Sequence, residues 1–250
     1  MFSIKRWSQL AGLPSLREAD EKEAQIKASI EGFAVGQIDV HGDITIVIYD
    51  PRMMKSAIEE LSDSNTVAKP PSGMVSAIMG MIRISPPAYG PSGGENSCRG
   101  AWEVVRSGVR SRGVGIGGLL YRLAAAASPT GKLMPDRRDV SPNAQNVWKS
   151  KFSKMSDEKK QSNVLDDEQN ARTEDPNDDC IVHDYDEEKG PGSNLLNYVY
   201  DDFGGRVNID ALKSAHQDFM DEISWTLPAK LDINKLFYKA ASDAFHEMTD

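Results

Sequence analysis

The sequence predicts an α/β chain: a mixed sheet flanked by helices, then an acidic insertion and a helical C-terminal extension. Three observations carry this reading. Strand-type alternation and helix-type periodicity take turns over residues 1–155. Residues 156–190 hold 13 acidic and 4 basic side chains and few aliphatics, a solvated composition. Residues 191–250 contain two stretches whose apolar residues recur at helical spacing.

In order along the chain, residues 15–32 read as a charged surface helix. Ser15 is placed to cap it, and Glu18 stands three residues on, as a capping box requires. Residues 37–50 read as a hairpin turning at His41-Gly42-Asp43, with the β-branched run Ile44 to Tyr49 as its second strand. Residues 51–62 switch to a helical period, with Pro51 suited to the first turn. Residues 74–84 read as a buried strand, and 85–97 as a loop rich in Pro, Gly and Ser. Residues 101–109 read as a further strand, leading into RSRGVGIGG and a helix that ends in the alanine run 124–127. A short strand at 132–134 follows. Ser141 then caps a helix with Pro142 at its first position, running towards Phe152. Beyond the insertion, 195–200 has strand character, and 207–223 and 231–248 read as amphipathic helices.

Three units follow from this: an α/β domain at 1–155, a flexible acidic insertion at 156–190, and a strand with helices at 191–250 that completes the domain. The net charge is −9, from 29 Lys and Arg against 38 Asp and Glu. Residues 1–155 are nonetheless mildly basic, with 20 bases and 15 acids. No apolar run reaches the ~18 residues a membrane-spanning helix needs, so no membrane partner is expected. The N-terminus lacks the apolar core of a signal peptide, so a cytoplasmic setting is expected. Cys98 and Cys180 are too few for a disulfide framework or a four-cysteine zinc site.

The stretch that bears chemistry is 105–120, VRSGVRSRGVGIGGLL. It is a strand delivering a glycine-rich turn to a helix N-terminus, where unpaired amides and the helix dipole favour a phosphate. Gly113 and Gly115 remove side chains where a phosphate must approach, and Arg110 and Arg112 add charge. The glycine spacing is not that of a dinucleotide-binding fold, and no G-K-S/T phosphate loop is present.

The spacing Arg110-x-x-Gly113-x-Gly115 resembles the acyl-CoA motif R/Q-x-x-G-x-G/A of the GCN5-related N-acetyltransferase superfamily. Ser141-Pro-Asn-Ala144-Gln-Asn-Val147-Trp148 is similar to that family's N-x-x-A-x-x-φ-Y helix. The resemblance covers about 35–155 in element order and is specific at 105–120 and 141–148. It implies a GNAT-like sheet and an acetyl-CoA cofactor bound by Val104, Val105, Ser107, Arg110, Ser111, Arg112, Gly113, Val114, Gly115 and Ser141. Amides at 112–115 would hold the pyrophosphate, Val104 and Val105 would pair with the pantetheine arm, and an amide near Val105 would polarise the acetyl carbonyl. Glu103 or a water would take the amine proton. The family's frequent Tyr, a proton donor to the leaving thiolate, is Trp148 here, and its frequent Asn is Ser141. Tyr121 and Tyr89 are the other hydroxyls available for that proton.

The implied function is transfer of an acyl group from acyl-CoA to an amine whose identity the sequence leaves open. The alternative is a non-catalytic interaction protein on the same fold. The run from Leu133 to Trp148 also resembles phage-encoded acetyltransferase-like proteins, some of them virion components, which makes the virion a second expected location. Residues 99–138 carry eight bases and two acids, suiting CoA or a nucleic acid. Trp102 and Tyr121 are the only aromatics there, which weighs against a single-strand stacking platform. His183 near Asp179, Cys180, Asp184 and Asp186 matches neither a zinc nor a calcium spacing, so no metal is expected.

Overall fold

The computed structural model describes residues 32–61, 69–87, 97–111, 115–166, 175, 177–183, 188, 190–203, 207, 209–224 and 232–249. The charged helix expected at 15–32 therefore lies almost wholly outside the described residues, as does Tyr89.

β1 (Ala34–Val40) and β2 (Asp43–Tyr49) form the expected hairpin, paired from Ala34↔Tyr49 to Val40↔Asp43. His41 and Gly42 both have positive φ, the backbone a two-residue hairpin turn demands. α1 (Pro51–Glu59) follows at once, its first amides taken by the Asp50 carboxylate. The segment expected as one strand at 74–84 divides into α2 (Ser72–Ala77) and β3 (Ile78–Ser85). β4 (Trp102–Val109) leads to α3 (Ile116–Ala127), β5 (Leu133–Pro135) and α4 (Pro142–Phe152). Ser141 caps α4 through the Ala144 amide. α5 (Asp157–Asn163), α6 (Ile209–Ser224) and α7 (Ile233–Thr249) complete the described helices. Residues 195–200 form no named strand and join the sheet only through an isolated bridge from Tyr200 to Leu133.

The five strands lie in the order β1-β2-β3-β4-β5, with every pair antiparallel except β4 and β5, which run parallel. This is an α/β chain with a mixed, open sheet. β2 explains why both faces are covered. Its residues alternate with period two, sending Ile46 and Ile48 towards α3 while Val47 and Tyr49 join the cluster formed with α1, α2 and α7. Both sets are fully buried, so the strand reads as one apolar run. α3 lies close on the sheet because Gly80 of β3 has no side chain. A Cβ there would meet Ile116 at 3.0 Å and Leu120 at 3.2 Å. Among the described residues no helix is long and apolar enough to cross a membrane.

The acidic segment is solvated over Asp157–Asn163, as expected, but packs into the fold around 165–166 and 178–180. Leu165 and Cys180 are buried in a small core with Cys98, Ala101, Met134 and Val199. Cys98 and Cys180 form a disulfide, so two cysteines that make no framework still join this segment to the start of β4. The Cys180 amide donates to the Asp166 carbonyl, and the His183 amide donates to the side chain of buried Asn197. The chain spends apolar residues at 164, 165, 180 and 182 on this docking, which its overall acid content conceals.

Candidate functional site

The β4–β5 pairing covers three residues and ends at Val104↔Pro135, while β4 continues to Val109. The two strands thus share an edge at one end only. On its other side β4 loses register against β3: Arg83 faces Arg106 and Ile84 faces Val104, so Val105 has no partner. Such a bulge bends the strand and re-aims its peptide groups.

A cavity of about 310 Å³ opens where β4 runs past β5. Ser107, Gly108 and Val109 form its strand wall, Gly117, Leu120 and Tyr121 of α3 a second wall, and Ser141, Asn143, Ala144 and Val147 of α4 a third. Met248 of α7 closes one side. The volume lies within the range of small-molecule sites, ~300–1,000 Å³. The Ser107 and Tyr121 hydroxyls are 3.3 Å apart. Burial pushes the Tyr121 phenol above its ordinary pKa, partly offset by the bond to Ser107, so it is a proton donor at neutral pH.

The residues singled out in the sequence meet different fates. Ser107 and Ser141 line the cavity. Val104 is buried in the core beneath α3, and Val105 is the bulged residue. Ser111 is exposed. Gly115 stands immediately before α3 with φ +83, a backbone that favours glycine, and no side chain caps this helix end. Arg112, Gly113 and Val114 lie outside the described residues.

Arg110 is engaged elsewhere than on a turn. Its guanidinium donates to the Ile78 and Val75 carbonyls at 3.0 and 2.9 Å and meets Glu247 of α7 at 3.1 Å. It fastens the α2–β3 junction to the C-terminal helix.

Glu103 does not stand where a general base is needed. It is 6% exposed, sits on the paired end of β4, and its carboxylate accepts the Arg137 amide at 2.6 Å. Arg137 is itself buried, donating to the Pro135, Ile181 and Leu196 carbonyls. Desolvation lowers its pKa to about 10, against the raising influence of Glu103, Asp136 and Tyr200. Trp148 lies behind the cavity, 1% exposed, with its ring edge-on to Tyr121 at 5.3 Å and near Tyr200 at 5.0 Å. It is a core residue that orients Tyr121.

Around the acidic segment, His183 Nε2–H donates to the Asp136 carbonyl at 2.5 Å, and Cys180 is held in its disulfide. Asp184 and Asp186 lie outside the described residues. Instead Asp166, Asp178 and Asp179 bring carboxylate oxygens within 4.8 Å of one another, all three buried, and Arg99 meets Asp178 at 2.5 Å. Their spacing in sequence gives no hint of this gathering. Tyr121 was within reach of sequence reasoning as a hydroxyl on α3, but its place beside Ser107 was not.

Comparison with family models, with curated proteins and with solved structures finds no match to this chain.

Proposed function

We propose that the cavity beside β4 binds an acyl-CoA thioester and that the protein transfers its acyl group to an amine. The observation that carries this reading is the conjunction at one end of β4. β4 runs on past the end of β5, its bulge falls at Val105, and the cleft there is walled by the first turns of α3 and α4. The acyl-CoA resemblance needs an open strand edge, a peptide group free to meet the thioester carbonyl, and a helix N-terminus nearby for the pyrophosphate.

In this reading the thioester carbonyl lies against the backbone at Val105, and the pantetheine arm runs along Ser107 to Val109. The amine nitrogen attacks the carbonyl carbon and the C–S bond breaks. Tyr121, held by Ser107 and by the edge of Trp148, donates its proton to the charge developing on sulfur. It takes the place of the hydroxyl that Trp148 lacks. No Asp, Glu or His stands among the described residues lining the cavity, so water accepts the amine proton. Glu103 stabilises the fold and is not proposed as the base.

A non-catalytic interaction protein on the same architecture is the second reading. The specific observation in its favour is Trp148, a residue without a dissociable proton, buried where the resemblance expects Tyr. The two readings part in one pair of measurements. Calorimetry with acetyl-CoA is expected to give saturable binding with a Kd below about 1 mM, the usual upper range of enzyme affinities. Thiol release is then followed against a panel of amines and peptides. No binding at millimolar acetyl-CoA removes both the cofactor and the transferase reading.

A further inference from the structure

The geometry points to a second ligand site at the far end of α4, built for a phosphate carried on a small organic molecule. A cavity of about 380 Å³ opens there and shares no lining residue with the cleft beside β4. Trp148 stands between the two, its ring near Tyr121 of the first and Phe203 of the second.

Four cations converge on this cavity from separate places in the chain: Arg122 from α3, Lys151 from α4, Lys154 from the turn after it, and Lys159 from α5. Two acids, Asp201 and Asp202, line it as well. Lys159 pairs with Asp201 at 2.8 Å. Lys151 donates to the Asp202 carbonyl at 2.8 Å and holds its ammonium 4.5 Å from the centre of the Phe203 ring. Neither Arg122 nor Lys154 forms an ion pair with any described residue. In a chain of net charge −9, this concavity gathers positive charge that its own carboxylates do not balance.

The surplus sets the ligand class. Four cations against two carboxylates leave two positive charges, and a phosphomonoester carries about −1.5 to −2 at neutral pH. A guanidinium and an ammonium on different elements suit a tetrahedral anion with several acceptor oxygens better than a single planar carboxylate. The volume exceeds what a bare phosphate fills. The remaining lining is Ser156 and Met155 with the buried Tyr200 and Phe203, the last three offering apolar surface for an organic group.

The test is a titration of the isotope-labelled full chain followed by NMR, with inorganic phosphate, phenyl phosphate and sodium chloride of matched ionic strength as separate probes. Saturable shifts of the Arg122 Nε–H and of the amides of Lys154 and Phe203 are expected with both phosphates. Phenyl phosphate is expected to bind at least about tenfold more tightly, because its ring adds apolar burial to the same charge pairing. The double variant Arg122→Gln, Lys154→Gln is expected to weaken both by tenfold or more while its thermal melt stays unchanged. A variant that melts early is replaced by Lys154→Gln alone, for which at least threefold weakening is expected. Equal shifts with chloride overturn the site. So do shifts confined to Ser107 and Gly115, or variants that titrate like the parent. Equal affinity for the two phosphates overturns the organic part of the assignment.

Discussion

The carboxylate of Glu103 and the amide of Arg137 meet at 2.6 Å across the β4–β5 junction, both residues buried. Glu103 also provides negative charge beside the Arg137 guanidinium, which three carbonyls hold in place. Removing one charge of a buried pair leaves the other uncompensated, at a cost of about 3–5 kcal/mol. Glu103→Gln is therefore expected to lower the denaturant midpoint clearly. Under conditions where the variant remains folded, acetyl-CoA affinity and any turnover should match the parent. A variant of parental stability with turnover reduced a hundredfold would reinstate Glu103 as the base.

Tyr121→Phe removes one hydroxyl from the cavity and keeps the ring that packs on Trp148. Acetyl-CoA binding should change little. Turnover should fall by roughly 10²–10⁴, the usual contribution of a positioned proton donor. Thiol release at saturating acetyl-CoA measures this. A rate equal to the parent's would show that solvent alone protonates the leaving sulfur.

Ala144 lines the cavity from α4. Ala144→Phe should fill the cleft and weaken acetyl-CoA binding at least about tenfold, which is 1.4 kcal/mol. Calorimetry reads the affinity and circular dichroism the fold. Unaltered affinity in a folded variant would place the cofactor elsewhere.

The Tyr49 hydroxyl and His216 Nδ1 are 2.8 Å apart within the core between β2 and α6. Burial lowers the His216 pKa below its ordinary 6.5. The unfolded chain therefore binds a proton more readily than the folded one. Stability should be complete above about pH 6.5 and decline as the pH falls below it. His216→Gln should flatten this part of the curve of melting temperature against pH. A decline of the same slope in the variant would assign it to other groups.

The Cys98–Cys180 disulfide closes a loop across a sequence separation of 82. By the chain-entropy argument a loop of this length contributes about 4.5 kcal/mol. Reduction, or the double change Cys98→Ala and Cys180→Ala, should lower the melting temperature. Proteolysis between 164 and 182 should then accelerate, because that stretch loses its covalent anchor. Equal melting temperatures with and without reductant would show that the bond adds nothing in solution.

Much of the secondary structure was legible because its signals are local. The turn at His41-Gly42, Pro51 at one helix start and Ser141 with Pro142 at another, and the periodicity of 207–223 and 231–248 each depend on residues within about four positions of one another. The error at 74–84 arose where a largely apolar run, interrupted only by Ser76, Gly80 and Arg83, serves helix and strand alike, and periodicity does not divide it. At 195–200 the aromatic and aliphatic residues gave strand character, but the segment meets the sheet at one bridge only.

The glycine-rich stretch after β4 pointed to a cleft beside that strand, and Ser107 and Ser141 line the cavity found there. The sequence by itself determined the α/β class, the hairpin, the capped helices and the end of the sheet at which the cleft opens. Tertiary structure alone decided what each charged and aromatic residue there does. Arg110 bonds carbonyls and Glu247, Glu103 is committed to Arg137, Trp148 packs behind Tyr121, and Arg122 meets three lysines from later in the chain. These outcomes depend on desolvation and on partners 14 to 137 residues apart, and the free energy of a side chain is set by what surrounds it in space rather than by its neighbours in sequence.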